Sequence, residues 1–210
     1  MGLVRLFVLV WVIAFGGLPI TAWAGQPGEP AGKVLRVQGS AVALLDAQPR
    51  TLAVGTEVRV GDILSTGANS RLEVELGDGS TLFLGERASF NVIAFSSPKD
   101  GGEMVLRLLS GAFSAVSGAI AKQGGRMDIE TPVATIGIRG TTVWGGQLDG
   151  DFQVALLDGT RAVVTTRGGR VDLMKVGDGT LIKNQDTAPA PPKKWGGNKL
   201  ERAKATVAFR

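Results

Sequence analysis

Polar and hydrophobic residues alternate without interruption along residues 71–76, RLEVEL. Leu72, Val74 and Leu76 would share one face of an extended strand, and the three charged residues, beginning with Arg71, would share the other. Successive side chains of a strand point to opposite faces, so this pattern predicts a strand with one buried and one solvated face.

Similar extended, apolar segments recur throughout residues 33–182. They are TLFLG after residue 80, SFNVIAF at 89–95, EMVLRLLSGAFSAVS at 103–117, RMDIE at 126–130 and ATIGI at 134–138. No convincing amphipathic helical periodicity interrupts them, and the 31 glycines of the chain suit closely spaced turns and bulges. We therefore predict an all-β domain over residues 33–182, an antiparallel β-sandwich or β-roll built of short strands.

Three Asp-Gly pairs among these strands lie between apolar segments and are each followed by a Ser or Thr. Asp-Gly suits tight hairpin turns, because Gly adopts positive φ freely and Asp bonds to its own backbone. The pairs predict three hairpins of an antiparallel meander, at Asp78-Gly79, Asp158-Gly159 and Asp178-Gly179.

The first 24 residues differ in character from the β region. They combine Arg5, an uninterrupted apolar run and an Ala22-Trp23-Ala24 motif, which predicts a secretory signal peptide cleaved after Ala24. An uncleaved membrane anchor is the alternative interpretation. We therefore expect a periplasmic or secreted protein.

The segments that flank the β domain are interpreted as linkers and a tail. Residues 25–32 are Pro/Gly-rich and residues 183–197 are Pro-rich, so both are predicted to be linkers. Residues 198–210 form a basic tail that is either a short helix or a solvated segment. The chain has a formal net charge of +4, and its positive charge is concentrated in residues 193–210. Such a tail favours peripheral attraction to anionic envelope surfaces.

The chain has no Cys, no His and no Tyr. This composition removes thiol nucleophiles, the usual general base near neutral pH and the commonest zinc ligand. Carboxylates remain as candidates for chemistry: Asp62, Glu73, Glu75, Asp78, Asp158 and Asp178. Each has a structural explanation in a turn or on a strand's polar face, and the Asp-Gly turns lack the clustered acidic loop of a calcium site. We therefore predict no catalytic residue, no cofactor and no metal site.

Residues 130–146, ETPVATIGIRGTTVWGG, form the most distinctive segment of the chain. Gly137-Ile138-Arg139-Gly140 is formally a G-x-x-G motif, but its flanks are β-type and the helical context of a nucleic-acid clamp is missing, so nucleic-acid binding is excluded. Pro132, Gly137 and Gly140 are interpreted as structural turn residues, since Pro132 suits a strand start and glycine suits close approach or positive φ. Arg139 is expected to brace the turn through carbonyl or carboxylate groups, with contact to a ligand as the alternative.

Two regions supply candidate partner contacts. Arg139 and Trp144 lie in the distinctive segment, and Lys193, Lys194 and Trp195 lie in the Pro-rich segment and tail. Tryptophan combines a large apolar ring with a polar N–H group, which suits a partner groove or a membrane interface.

Residues 60–92, VGDILSTGANSRLEVELGDGSTLFLGERASFNV, resemble the FecR-type domain of bacterial envelope proteins. The second half of the domain is similar to it as well: LRLLSGAFSAV at 106–116 resembles a strand of that family, IETPVATIGIRGTTV at 129–143 resembles its TP…RGT signature, and VALLDGTRAVV takes the place of its closing hairpin. The resemblance covers about residues 33–182. It implies an all-β, extracytoplasmic domain used for sensing, scaffolding or protein contact, with no catalytic residues to transfer.

The expected organisation of this chain differs from that of the founding members of the family. Founding members of that family relay a signal to a cytoplasmic sigma factor through a cytoplasmic region and one membrane crossing. In this chain five residues precede the apolar run, so we expect neither part and carry over only the domain type and the compartment.

The expected function is therefore non-enzymatic binding, sensing or scaffolding in the bacterial cell envelope, with an envelope protein or a surface polymer as partner. Recognition through a β-surface or an exposed edge would suit such a domain. Two alternatives stay open: a carboxylate-dependent enzyme acting on envelope polysaccharide, and a structural or adhesive surface protein. The sequence leaves the oligomeric state open.

Overall fold

The computed structural model describes residues 25–96 and 102–210, and the predicted signal peptide, residues 1–24, lies outside them. The described residues form eighteen strands and two short helices, which we number along the chain. The strands are β1 (Pro30–Gln38), β2 (Ala41–Leu45), β3 (Gln48–Thr51), β4 (Glu57–Arg59), β5 (Ile63–Thr66), β6 (Arg71–Leu76), β7 (Thr81–Leu84), β8 (Ser89–Phe95), β9 (Glu103–Ser110), β10 (Phe113–Val116), β11 (Arg126–Glu130), β12 (Thr135–Ile138), β13 (Thr141–Leu148), β14 (Asp151–Gly159), β15 (Ala162–Thr166), β16 (Gly169–Leu173), β17 (Asp178–Ile182) and β18 (Lys193–Lys194). The helices are α1 (Ala119–Lys122) and α2 (Gly197–Ala205).

The strands form two nine-stranded sheets. The first sheet has the order β18-β17-β14-β13-β10-β7-β6-β1-β4, and the second has the order β16-β15-β12-β11-β9-β8-β5-β2-β3. Neighbouring strands are antiparallel apart from β9 and β11, which run parallel. The prediction of an all-β, sandwich-like fold is confirmed, with this one parallel pair as a departure from a purely antiparallel design.

The main core lies between the two sheets. Leu72, Val74 and Leu76 of β6 are buried there, as the alternating pattern predicts. Phe90 of the second sheet meets Phe113 of the first in an edge-to-face contact, with ring centroids 5.6 Å apart. Aromatic pairs of this geometry add specificity to the burial of apolar area that holds the sheets together.

The polar face of β6 is half-exposed at Glu75, whose side chain keeps 40% of its surface accessible, largely covered at Glu73, which keeps 14%, and buried at Arg71. Glu73 and Glu75 pair with Arg36 and Lys33 of β1, at 3.7 Å and 3.1 Å. Arg71 was predicted to be solvated but is only 3% exposed. The C-terminal segment covers this end of the strand, and a local alternation pattern carries no information about such a distant segment.

Only one of the three Asp-Gly pairs makes the predicted hairpin. Asp78-Gly79 joins β6 to β7, with Gly79 at a φ of 80°, and the Asp78 carboxylate also accepts a bond from the backbone N–H of Ile120 at 3.1 Å. The predictions of hairpins at the other two pairs are wrong. Asp158-Gly159 ends β14 where the chain crosses to the second sheet, and Asp178-Gly179 begins β17, just after the chain has crossed back.

The segments predicted to be linkers and tail are fixed against the sandwich. β1 begins at Pro30, within the Pro/Gly-rich stretch 25–32. In the Pro-rich stretch 183–197, the Gln185 carbonyl accepts the Arg167 N–H at 2.8 Å, and Ala190 N–H donates to Leu181 at 2.9 Å. β18 then pairs with β17, and α2 follows it directly. Within the described ranges, no helix has both the length and the apolar character needed to cross a bilayer.

Candidate functional site

The distinctive segment 130–146 is the place where the chain passes from the second sheet to the first. It contains the end of β11, a turn, β12, the pair Arg139-Gly140 and most of β13. Pro132 lies in the turn between β11 and β12, where the Thr131 hydroxyl accepts the N–H of Ala134 at 2.9 Å. Gly140 lies at the crossing itself, with a φ of 64°. The segment therefore serves as a structural corner of the sandwich.

We predict that Gly140→Ala lowers stability through backbone strain alone. Its φ of 64° favours glycine, while a Cβ at this position would meet nothing within 4 Å. The expected cost is about 1–2 kcal/mol, or a Tm lower by about 2–8 °C in thermal unfolding.

Gly137→Ala is the matched control. Its backbone lies outside the left-handed region, and an added Cβ would contact the Asp128 Oδ1 atom at an ordinary 3.4 Å. Gly140→Asn should recover part of the loss because Asn tolerates left-handed backbone. Equal Tm values for the Gly140→Ala and Gly137→Ala proteins would contradict the structural role of Gly140.

A groove of about 530 Å³ opens beside this crossing, on the second sheet. We call it the arginine groove, because Arg126, Arg139 and Arg161 line it. Gly137 pairs with Asp128 on one side and Val163 on the other. Because glycine has no side chain, Gly137 leaves the bottom of the groove unfilled between these two neighbours.

The three arginines of this groove are in different electrostatic states. Arg126 donates a hydrogen bond to Asp128, and that bond, followed by the charge of Asp128, raises the pKa of the Arg126 guanidinium above its ordinary value. Arg161 donates to the Asp172 carboxylate at 2.9 Å. Arg139 is exposed, and no hydrogen bond or ion pair joins its side chain to another described residue. The expectation that Arg139 braces the turn therefore fails within the described part of the chain, and its fork of donors faces solvent.

Trp144 and Trp195 are placed differently from the sequence expectation. Trp144 is fully buried and Trp195 is 7% exposed. They meet edge to face with centroids 6.0 Å apart, in a second core on the outer face of the first sheet. The other buried members of this core are Ala112, Leu148, Ala155, Ala203 and Val207. In this conformation both tryptophans hold the C-terminal segment on the sheet and are not available to a partner.

The basic residues of the C-terminal segment lie apart from the arginine groove. Lys193 and Lys194 are exposed on β18, at the edge of the first sheet, and the Lys194 ammonium donates to the Val176 carbonyl. Arg202 of α2 donates to Asp149, and this bond lowers the pKa of the Asp149 carboxyl. None of these residues lines the arginine groove, so the described structure separates the predicted contacts into two surfaces.

The candidate carboxylates hold parts of the fold together. Asp62 and Asp78 are buried and accept backbone or side-chain bonds, and Asp178 accepts the N–H of Lys175 at 2.9 Å in the turn before β17. Glu73 and Glu75 are engaged by β1, as described above. Among residues 25–96 and 102–210, no three acidic side chains cluster in a way that could hold a metal ion.

Sequence reasoning missed Arg126, Asp128 and Arg161 as groove residues. The pattern RMDIE does place Arg126 and Asp128 on the same face of a predicted strand, so part of the signal was present. Arg161 directly precedes β15, and its position beside Arg126 depends on how β11, β12 and β15 pair. Long-range pairing of this kind is not encoded in local alternation.

Comparisons with known proteins agree with the fold. Two crystal structures of a "putative anti-sigma factor" from Parabacteroides distasonis ATCC 8503, at 1.65 Å and 2.50 Å, match with TM-scores of 0.54 and 0.52 and identities of 15% and 14%. Each match covers 66% of this chain and 62% of the other, so the chain spans about three fifths of the length of those proteins. At this identity the likeness shows the fold alone. A comparison with curated proteins finds no match.

The family model described as FecR protein matches residues 62–160. This region begins at Asp62, contains the crossing at Arg139-Gly140 and ends at Thr160, which lines the arginine groove. The resemblance found in the sequence is thereby confirmed for residues 62–160, which match the FecR family model.

Proposed function

We propose that this protein is a non-enzymatic regulatory or sensing module of the bacterial cell envelope, which binds an acidic segment of a partner protein in the arginine groove. The observation that carries the proposal is Arg139, an exposed guanidinium at the family signature that no described carboxylate neutralises.

The groove suits a carboxylate-bearing segment on chemical grounds. Arginine presents a planar fork of donors that matches a carboxylate with two parallel hydrogen bonds. Arg126 and Arg161 flank Arg139 and are already oriented by Asp128 and Asp172. Val163 and the low floor at Gly137 provide apolar surface next to these charges, where an extended segment could lie.

The regulatory role rests on the family and on the neighbours' names. Residues 62–160 match the FecR family model, and the similar crystal structures belong to a protein named "putative anti-sigma factor". Domains built of β-sheets commonly bind partner segments at an exposed surface or strand edge, and such binding suits a regulatory role.

Export is proposed from the first 24 residues, whose apolar run and Ala22-Trp23-Ala24 motif are typical of a cleaved secretory signal. Cell fractionation combined with intact mass measurement tests it directly. The expected result is a periplasmic or secreted protein that begins at Gly25. Recovery of the uncleaved chain in the membrane fraction would establish the anchor instead, and recovery in the cytoplasm would refute export.

Arg139→Glu is predicted to weaken partner capture without changing stability. A photo-reactive amino acid at the exposed groove residue Thr160 would report the partner as a crosslinked band in intact cells. Charge reversal at Arg139 replaces attraction by repulsion, so the crosslinked yield at limiting partner should fall at least roughly tenfold, which corresponds to about 1.4 kcal/mol.

Lys183→Glu is the matched control, because Lys183 is also exposed but does not line the groove. Both variants should keep the Tm of the unmodified protein, since exposed substitutions away from special features usually change stability by about 0.5 kcal/mol or less. Equal crosslinking by the Arg139→Glu and Lys183→Glu proteins would rule out the groove as the partner site.

A further inference from the structure

A second basic pocket lies on the opposite face of the sandwich, where the C-terminal segment covers the first sheet. Its volume is about 380 Å³, and three arginines line it: Arg71 of β6, Arg202 of α2 and Arg210. The remaining lining residues are Glu86, Gly111, Ala112, Gln147, Ala205 and Thr206. The pocket is therefore built from two parts of the chain, the sheet and the C-terminal segment.

Arg71 is the buried member of this pocket. Only 3% of its surface is exposed, and its Nη1 atom donates to the Ser70 carbonyl at 2.8 Å. Its Nε atom is also buried and has no hydrogen-bond partner among the described residues. A buried donor without an acceptor is costly, and native structures satisfy nearly all such groups, so an unpartnered Nε atom in a residue that lines a pocket points to a missing acceptor.

The charges around Arg71 leave the pocket positive. Burial is the main cause that lowers the pKa of the Arg71 guanidinium; Glu86 opposes this shift and Arg210 adds to it. The Glu86 carboxylate accepts a hydrogen bond from the backbone N–H of Asn69 at 2.9 Å, and the Arg202 guanidinium donates a hydrogen bond to Asp149. Among the described residues, no ion pair neutralises Arg71 or Arg210.

We propose that this pocket binds a small oxyanion, a phosphate or carboxylate group, with the Arg71 guanidinium as its principal donor. Arg202 and Arg210 approach the same anion from the C-terminal segment. A ligand that bridges the two walls binds only while the segment is docked, and by linkage it stabilises the docked state. The site is separate from the arginine groove, and the proposal does not depend on the function proposed there.

Titration of the purified protein with inorganic phosphate, and separately with glucuronate, tests the proposal. Binding is followed by calorimetry and by the Tm, at an ionic strength held constant with sodium chloride. The expected result is saturable one-site binding of at least one of the two anions, with a Tm that rises with its concentration. The anion that binds more tightly identifies the source of the oxyanion. No saturable binding of either anion would overturn the proposal.

Variants assign the binding to this pocket. Arg71→Met keeps the length of the side chain, removes a buried charge and should fold, while the affinity falls at least tenfold. Arg210→Ala, at an exposed position, should weaken binding severalfold and provides a second measurement if Arg71→Met does not fold.

Glu86→Gln should tighten binding because it removes a repelling charge but keeps an acceptor for Asn69. Arg107→Met removes a positive charge from the second sheet and should leave the affinity unchanged. Equal affinities for Arg71→Met, Arg210→Ala and Arg107→Met would refute the assignment.

Limited proteolysis tests the link to the C-terminal segment. The bound anion should slow cleavage within residues 193–210 severalfold in the unmodified protein, and Arg71→Met should abolish that protection. Protection of equal size in both proteins would contradict the bridging role.

Discussion

Trp144→Ala is expected to lower the free energy of unfolding by about 3–5 kcal/mol, the usual cost of truncating a large buried aromatic side chain. Trp144 is fully buried in the second core, and its indole N–H donates to the Thr206 hydroxyl at 2.9 Å. The substitution removes this bond and the edge-to-face contact with Trp195, which together hold the C-terminal segment on the first sheet. Urea unfolding gives the free energy, and the Tm should fall by about 6–20 °C.

The same protein offers a local readout. After cleavage at the predicted signal site, Trp195 would be the single remaining tryptophan of the Trp144→Ala protein. Its fluorescence reports directly on the segment, because Trp195 is 7% exposed only while β18 and α2 are docked. Release of the segment should shift the emission to longer wavelength before global unfolding.

Two variants separate packing from nonspecific effects. Trp144→Phe keeps most of the ring but loses the hydrogen bond to Thr206, so a cost of about 1–2 kcal/mol is expected. Val54→Ala changes a side chain that is 70% exposed and should be nearly neutral. A Trp144→Ala protein with the stability of Val54→Ala would show that the second core does not hold the segment.

Asp62→Ala is expected to cost about 3–5 kcal/mol, because it breaks a buried ion pair and leaves the partner charge uncompensated. The Asp62 side chain has no exposed surface, and its two oxygens accept from the Arg50 Nη2 atom at 2.5 Å and 2.6 Å. One oxygen also accepts the N–H of Arg59 at 2.7 Å. Since Arg50 keeps 28% of its side chain exposed, water can partly compensate it, and the lower end of the range is expected.

The neighbouring pair of Glu57 and Arg59 is the matched control. Both side chains are more than two fifths exposed, at 45% and 42%, and an exposed pair contributes about 0–1 kcal/mol. Glu57→Ala should therefore have a small effect in the same urea unfolding experiment. A double-mutant cycle with Arg50→Ala should give a coupling energy of about 1–3 kcal/mol with Asp62. Equal losses for Asp62→Ala and Glu57→Ala would contradict this account.

Much of the fold could be predicted because strand alternation is a local property. The side chains of RLEVEL alternate between the two faces of β6 as the pattern predicts, and only the burial of Arg71 departs from it. Asp78-Gly79 makes a hairpin because both strands that it joins belong to the same sheet. Asp158-Gly159 has a similar sequence but lies at a crossing between sheets, since β14 pairs with β13 and β17 while β15 pairs with β12 and β16. A turn motif cannot distinguish these outcomes, because the choice of sheet depends on partners far away in the chain.

The candidate functional residues were likewise only partly predictable from local sequence. Arg139 could be singled out from the signature segment alone, and the structure leaves it exposed. Trp144 could not be interpreted correctly, because its burial is produced by a segment about fifty residues later in the chain. Arg71 was misplaced for the same reason, and the pocket that it shares with Arg202 and Arg210 has no counterpart in any local pattern.

The sequence by itself determined the β class, the buried faces of individual strands, the exclusion of thiol and imidazole chemistry, and the FecR resemblance. These depend on residue types and short spacings, which the side-chain geometry of a strand translates directly into structure. Only the tertiary structure decided which strands share a sheet, that the C-terminal segment docks on the first sheet, and which arginines meet in each pocket. Those outcomes come from contacts between residues far apart in the chain, whose free energy depends on packing and burial that no single segment contains.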